Sequence, residues 1–404
     1  METKLKQDRL STQRSPLILI LAIACGITIA NLYYNQPLLV LLAADFNTSA
    51  RAVGLIPTLT QVGYALGILL LVPMGDLWER RRLIVVMMVL TAVTLAFAAC
   101  SPSLSWLIVA SFMIGVTTIA AQVIIPFSTL LVRPHERGKA VGMLMSGVFV
   151  GILLARTVSG FVGEHLGWRA MYWIASGLML LLAGAMAKVL PRSQPKLRTS
   201  YGGLMRSLIH LIKTEPRLQR ASLIGAMTFG SFSAFWSTLA FLLEQPPYHY
   251  GSDVVGLFGL VGVAGAAIAP IAGKISDARS PRFAVGMGLI TTIFSFVLLW
   301  AFGYHLWGLV VGVVVMDLGV QATQISNQTS IYQLPTEIHS RLNAVYIMFY
   351  FVGGALGSFL GAFAWSNFGW SGVCVLSLGL LAIALVDYGR TSSSLKKTNL
   401  TKPK

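Results

Sequence analysis

Long apolar runs alternate with short polar ones along almost the whole chain. Each run is close to the ~20 residues a helix needs to cross a bilayer. The pattern predicts twelve spans, at 17–43, 52–74, 83–100, 103–131, 140–162, 168–190, 221–245, 254–273, 283–304, 306–330, 342–364 and 370–388. The longest polar stretch falls in the middle and divides them into two sets of six. The expected organisation is a tail over 1–16, a six-helix half over 17–190, a central loop over 191–220, a second six-helix half over 221–388 and a tail over 389–404. Within the central loop, Leu204, Leu208, Leu211 and Ile212 share one helical face beside Arg206 and Lys213, the pattern of a helix lying on a membrane surface. The expected fold class is an all-α integral membrane protein.

The side-chain character of the spans repeats with a period of three. Spans 3, 6, 9 and 12 are almost uniformly apolar and are expected to face lipid. Spans 2, 5, 8 and 11 carry small residues at every fourth position: Gly63 and Gly67; Gly147, Gly151, Ala155, Ser159 and Gly163; Gly265, Ala269 and Gly273; Gly353, Gly357 and Gly361. Small residues let helix backbones approach closely, and the expected contacts are between the halves. Spans 1, 4, 7 and 10 carry the polar groups. Asp317, Gln321, Gln324 and Gln328 recur at i, i+4, i+7 and i+11 in span 10, which is one helical face. Ser111, Gly115, Thr118 and Gln122 follow the same spacing in span 4. Span 1 contributes Thr28, Asn31, Tyr34, Asn35 and Gln36, and span 7 contributes Ser233, Trp236 and Ser237. Amides and a carboxyl turned to lipid are costly, so these faces should line a polar cavity or pair with one another.

Composition agrees with this picture: 55% of residues are hydrophobic and 11% charged, against about 25% charged in a soluble domain. A net charge of +16 would suit a nucleic-acid partner if it were clustered, but it follows membrane topology. With both termini in the cytoplasm, all 30 Lys and Arg except Arg51, Arg156 and Arg169 fall on the cytoplasmic side, as insertion favours. The expected location is the inner (plasma) membrane, with both termini cytoplasmic and the lipid bilayer, not nucleic acid, as partner. The first apolar run is expected to be a retained helix, because further spans follow it. Three scattered cysteines have neither metal-site spacing nor a disulfide framework. All six histidines fall in predicted loops, and the spans hold no nucleophile–base constellation. Neither an enzyme, a metal nor a cofactor is expected.

Two charges remain inside the membrane. Asp317 is the one acid well within a span, and Arg156 in span 5 is the one base equally deep. A charge at mid-bilayer costs ~3 kcal/mol on insertion scales, so it normally has a partner or a task. Asp317 is a candidate to exchange protons or to meet a cationic substrate. Arg156 is a candidate counter-charge. A structural Asp317–Arg156 ion pair is the alternative, and a pair broken by a proton or a substrate would be a switch.

Two charged loops between apolar runs echo one another: Pro73-Met-Gly-Asp-Leu-Trp-Glu-Arg-Arg-Arg82 and Gly273-Lys-Ile-Ser-Asp-Ala-Arg-Ser-Pro-Arg282. Arg133-Pro-His-Glu-Arg-Gly-Lys-Ala-Val141 is similarly echoed by Leu334–Val345, and Gly167-Trp168 by Gly369-Trp370. With the twelve spans, these features resemble the major facilitator superfamily over essentially the whole chain, nearest to its twelve-helix drug:proton antiporter-type branch. Asp76, Arg80 and Arg81 match the superfamily's loop pattern Gly-x-x-x-Asp-Arg-x-Gly-Arg-Arg, whereas Val72, Leu77 and Glu79 depart from it. Ser111 stands where the family has an Arg before Gly115. The antiporter motif of span 5 reads Gly151-Ile-Leu-Leu-Ala-Arg-Thr-Val-Ser-Gly160 here, with Arg156 in place of a proline.

The resemblance implies two pseudo-symmetric halves that alternate access to a site between them. It also implies a cytoplasmic gate of Asp76, Arg80, Arg81, Asp277 and Arg282. In it Asp76 faces the start of span 11 near Arg341, and Asp277 the start of span 5 near Gly138. A helix N-terminus favours such an anion by ~0.3–1 kcal/mol. The expected function is secondary transport, with export of a small organic or drug-like compound in exchange for protons. Uptake of a small organic anion is the alternative, and a non-transporting receptor or scaffold is the rival class. The expected substrate-binding residues are Asn31, Tyr34, Asn35, Gln36, Thr118, Gln122, Ser233, Trp236, Asp317, Gln321 and Gln324. Asp317 and Arg156 would couple to protons, and the chain is expected to act as a monomer.

Overall fold

The computed structural model describes residues 2–133, 136–193, 200–266, 280–335 and 338–400; the side chains of 2–15, 263–266, 391–400 and Asp76 lie outside the description. All regular structure among the described residues is helical. Ten of the helical segments described are long and apolar enough to cross a membrane, at the positions the hydropathy pattern predicts. One of them, His339–Arg390, is 52 residues long and contains spans 11 and 12. Gly369 (φ 60°, ψ −152°) separates the two. Gly167, with φ 82°, makes the equivalent turn between spans 5 and 6. A positive φ is cheap only without a side chain, so the paired glycines mark one turn used twice. Span 8 is described as Ser252–Ala266.

Two of the polar spans are broken near their middles. Span 1 runs as Glu2–Ala30 and resumes as Asn35–Asp45. Pro37 has no N–H to give the carbonyl of Tyr33, four residues earlier, and its ring crowds that carbonyl. The Tyr33 carbonyl accepts from Gln36 N instead, at 3.2 Å. Span 4 runs as Leu104–Thr117 and resumes as Ala120–Leu131. There the Thr118 hydroxyl donates to the Ile114 carbonyl at 2.6 Å, a side-chain bond that competes with the backbone ladder. Their counterparts, span 7 (Pro216–Glu244) and span 10 (Leu306–Ile331), are continuous.

The small-residue stripes act differently from expectation. A Cβ on Gly147 or Gly151 of span 5 would collide with the backbone of Ala22 or Gly26 in span 1. One on Gly353 or Gly357 of span 11 would collide with Ala226 or Gly230 in span 7, and Gly63 and Gly67 of span 2 meet Phe112 and Val116 of span 4. These stripes therefore hold spans together within each set of six. Other small residues make the close approach between the sets: Gly54 against Ala362, and Gly160 against Ser252 and Gly256. The stripe positions of span 8, Gly265, Ala269 and Gly273, lie outside the described side chains.

Spans 3, 6, 9 and 12 present large exposed apolar side chains, among them Val93, Leu181, Ile290 and Val386, as lipid-facing helices do. The amphipathic helix Tyr201–Thr214 turns its apolar face inward. Leu204, Leu208 and Leu211 are buried against protein, so this face is spent on the bundle and not on a membrane surface. Tyr201 Oη donates to the Leu70 carbonyl at 3.0 Å, and Arg341 of span 11 bonds Ser207. The helix thus bridges the two sets of six. A cavity of about 150 Å³ lies beneath it, lined by Pro73, Arg80, Gln122, Leu208 and Ser340 among others.

Candidate functional site

The site forms around Arg156, which is 1% exposed. Its guanidinium carbon stands 3.8 Å from the Trp236 ring centroid, 5.0 Å from Tyr33 and 5.7 Å from Phe232. Such cation–ring contacts gain strength when water is excluded. Nε donates to Gln36 Oε1 at 2.7 Å. The break in span 1 supplies two of these neighbours, Tyr33 from the turn itself and Gln36 from the first turn of the second piece. Two donors at this spot are left over: Arg156 Nη2 and Trp236 Nε1 are buried with no hydrogen-bond partner among the described residues.

Asp317 of span 10 is also buried, and its Oδ2 lies 2.5 Å from where a Cβ on Gly262 of span 8 would sit. One turn earlier, a Cβ on Gly259 would sit 3.0 Å from Arg156 Cβ. The carboxylate and the guanidinium therefore share one small-residue face of span 8. No nitrogen of Arg156 lies within 4.0 Å of the Asp317 carboxylate, so the ion pair considered from sequence is not made in this conformation.

The other expected residues divide into groups. Gln36 and Trp236 join Arg156. Gln321 Oε1 and Asn35 Oδ1 are buried acceptors with no partner among the described residues, and Asn35 Nδ2 reaches Thr60 Oγ1 at 3.4 Å. Tyr34 is buried at the start of the second piece of span 1. Gln324 Oε1 accepts from Tyr350 at 3.2 Å, and Gln122 Nε2 donates to Tyr64 at 3.1 Å. Asn31 and Thr118 are turned onto their own helices: Asn31 Nδ2 donates to the Thr28 carbonyl at 2.9 Å and meets Met179 Sδ at 3.4 Å. Thr118 Oγ1 is committed to the helix break, while Asn31 Oδ1 stays buried with no partner among the described residues.

Ser233 belongs to a second buried cluster. Gln61 Nε2 of span 2 donates to Ser358 Oγ of span 11 at 3.0 Å, and Ser237 Oγ of span 7 donates to the same oxygen at 2.9 Å. Ser233 Oγ reaches Gln61 Oε1 at 3.4 Å. This seam joins the first six spans to the last six. Further out, on the face away from the central loop, Arg51 lies over Phe363 at 5.1 Å and Glu164 Oε2 accepts from Ser252 N at 2.9 Å. Tyr33, Phe232, Gln61 and Ser358 are absent from the sequence-based site. Gln61 carried a signal, as the one amide of span 2.

Of the expected gate, Asp277 and the Asp76 side chain lie outside the described residues. Arg80 Nε donates to the Gly75 carbonyl at 3.0 Å, and its guanidinium lies 5.9 Å from the Phe127 ring. Arg81 bonds the Ala187 carbonyl. Arg282 donates to the Tyr388 carbonyl at 2.9 Å and lies over the Tyr388 ring at 5.0 Å. Each of these contacts stays within its own set of six spans.

The sequence model of the Major Facilitator Superfamily matches residues 21–336 and 221–402. The chain is 40% identical to the putative uncharacterized transporter YgaY of Escherichia coli K12, over 93% of this chain and 95% of that protein. It is 31% identical to the probable transporter SCO4007 of Streptomyces coelicolor, over 89% and 83% respectively. Among solved structures it resembles a bacterial homologue of the human lysosomal transporter Spinster in an inward-facing, unoccupied conformation. The TM-score is 0.76 at 17% identity, covering 95% of this chain and 98% of that one. An all-helical multi-pass fold, a buried site between two sets of spans and these relatives together assign the chain: it belongs to the Major Facilitator Superfamily and is a membrane transporter, not an enzyme.

Proposed function

We propose that the protein is a secondary active transporter of the inner membrane that carries a small organic solute, with Arg156 at the binding site and Asp317 as the proton-coupling group. The observation that carries this reading is the pair of buried opposite charges, held one turn apart along span 8 without closing on each other. A buried charge normally has a partner or a task. An acid left without an ion pair in a helix bundle is free to take up and release a proton as its surroundings alternate between wet and dry. The two halves, 17–190 and 221–388, are the moving parts. The Gln61–Ser358 seam closes the face away from the central loop. With both termini cytoplasmic, as the basic residues favour, that is the outer face, and the Asp76 and Asp277 loops govern the inner one.

The resemblance to drug:proton exporters favours outward exchange for protons. The unpaired donors on Arg156 favour a second reading, entry of a small organic anion together with a proton. The test uses the purified full chain in liposomes loaded with a pH-sensitive dye and challenged with a solute panel. A proton moving against the solute supports exchange, and one moving with it supports co-transport. Solute movement with no proton movement at all contradicts the coupling role given to Asp317.

A further inference from the structure

We infer that the solute held at this site carries a carboxylate on a flat, apolar body, and that Arg156 and Trp236 are the residues that bind it. The inference rests on the transporter reading of the same site and names its substrate class.

The unfilled positions around Arg156 are donors. Nη2 of Arg156 and Nε1 of Trp236 are both buried without a partner among the described residues, and the guanidinium stands 3.8 Å from the indole ring centroid. Arginine and the indole N–H are donors only; neither can be satisfied by another donor. Leaving a buried donor unmade is costly, most of all on a charged group. The missing group is therefore an acceptor, and beside a guanidinium a negatively charged one. Gln36 already takes Nε at 2.7 Å, which leaves the Nη side of the fork for the ligand. A planar carboxylate fits that fork better than any point charge.

No described residue supplies this acceptor. Asp317 stays beyond 4.0 Å from the guanidinium, against Gly262. Glu164 accepts from Ser252 N, and Asp45 pairs with Arg169 at 2.9 Å. The rest of the wall is aromatic: Tyr33, Phe232 and Trp236 surround the guanidinium within 6 Å. Ring faces suit a flat apolar body, which gains stacking as well as burial. A cationic solute would meet the charge of Arg156 in a medium that screens it weakly. A polyhydroxylated neutral solute would face rings where it needs hydrogen-bond partners.

The test is calorimetric titration of the purified full chain with matched probes. These are benzoate, phenylacetate and 3-phenylpropionate, each against its primary amide and its amine. The carboxylates should bind at least tenfold more tightly than the amides and amines. Arg156→Lys keeps the charge but loses the fork, and should weaken the carboxylates at least tenfold, more than it weakens the amides. Its monodispersity and thermal unfolding report whether it folds; the comparison of carboxylate with amide on the unmodified chain needs no variant. Equal binding of amide or amine, no binding of any carboxylate, or carboxylate binding unchanged in Arg156→Lys overturns the inference. If liposome transport depends on Asp317 but favours neutral compounds, the substrate class falls and the transporter reading stands. If carboxylates bind through Arg156 but do not respond to a proton gradient, the class stands and the coupling falls.

Discussion

The Gln61 seam and the Arg156 cluster use similar materials in the same interface. Both are buried, both join the first six spans to the last six, and both contain span 7 residues one turn apart, Ser233 and Ser237 in the seam and Phe232 and Trp236 in the cluster. In the seam, Gln61 Nε2 and Ser237 Oγ both donate to Ser358 Oγ, at 3.0 and 2.9 Å. Around Arg156, its own Nη2 and Trp236 Nε1 are left unmade among the described residues. Polar groups that satisfy one another hold a conformation. Polar groups kept buried and unsatisfied lower stability, and they persist where a ligand completes them. On the proposed reading, the difference separates a closure element, the seam, from a binding site, the Arg156 cluster.

That contrast is open to direct attack, and the largest effect is expected at span 8. Gly262→Ala puts a methyl group against the Asp317 carboxylate, which must shift. Misplacing a reacting or binding group by about 1 Å costs about a hundredfold in rate, so transport in liposomes should fall by about that factor while the protein still inserts and purifies. Arg156→Met comes next. It removes a buried charge whose Nη2 is unpaired, and replacing buried ionic groups by packed apolar ones stabilises by about 1–4 kcal/mol in favourable cases. Thermal unfolding in detergent should move upward as solute binding is lost. A fall in stability would mean that Arg156 is structural. The seam should answer in the opposite sense. Gln61→Ala leaves Ser358 and Ser233 short of a partner, which costs about 1–3 kcal/mol. Thermal stability should fall, with solute affinity changed less than threefold. An affinity loss as large as that of Arg156→Met would merge the two regions into one site.

The fold was largely legible because the membrane imposes a single strong rule, an apolar helix of nearly fixed length. The echo of Gly167-Trp168 in Gly369-Trp370 was visible in the sequence, but the turn that both glycines make was not assigned there. The lipid-facing spans followed from unbroken apolarity. What stayed hidden depends on partners. Gln61 and Ser358 are 297 positions apart, and no local pattern links them. Counting residues along a helical face assumes an unbroken helix. Pro37 and Thr118 interrupt spans 1 and 4, so Tyr33 reaches Arg156 while Asn31 and Thr118 turn back onto their own helices. A Gly-x-x-x-Gly stripe says that something comes close, not which helix. The face of Tyr201–Thr214 reads the same whether lipid or protein covers it. Arg156 and Asp317 stood out for the opposite reason: a charge in an apolar span is visible against any background.

Asp317 is the proposed coupling group, so the most direct measurement is solute accumulation in proteoliposomes under an imposed pH gradient, with Asp317→Asn beside the unmodified chain. The substitution keeps the shape of the side chain against Gly262 and removes its ability to exchange a proton. The unmodified chain should concentrate its solute under the gradient, while Asp317→Asn should only equilibrate it, at near-normal exchange. Concentration by Asp317→Asn as strong as that of the unmodified chain would contradict the account.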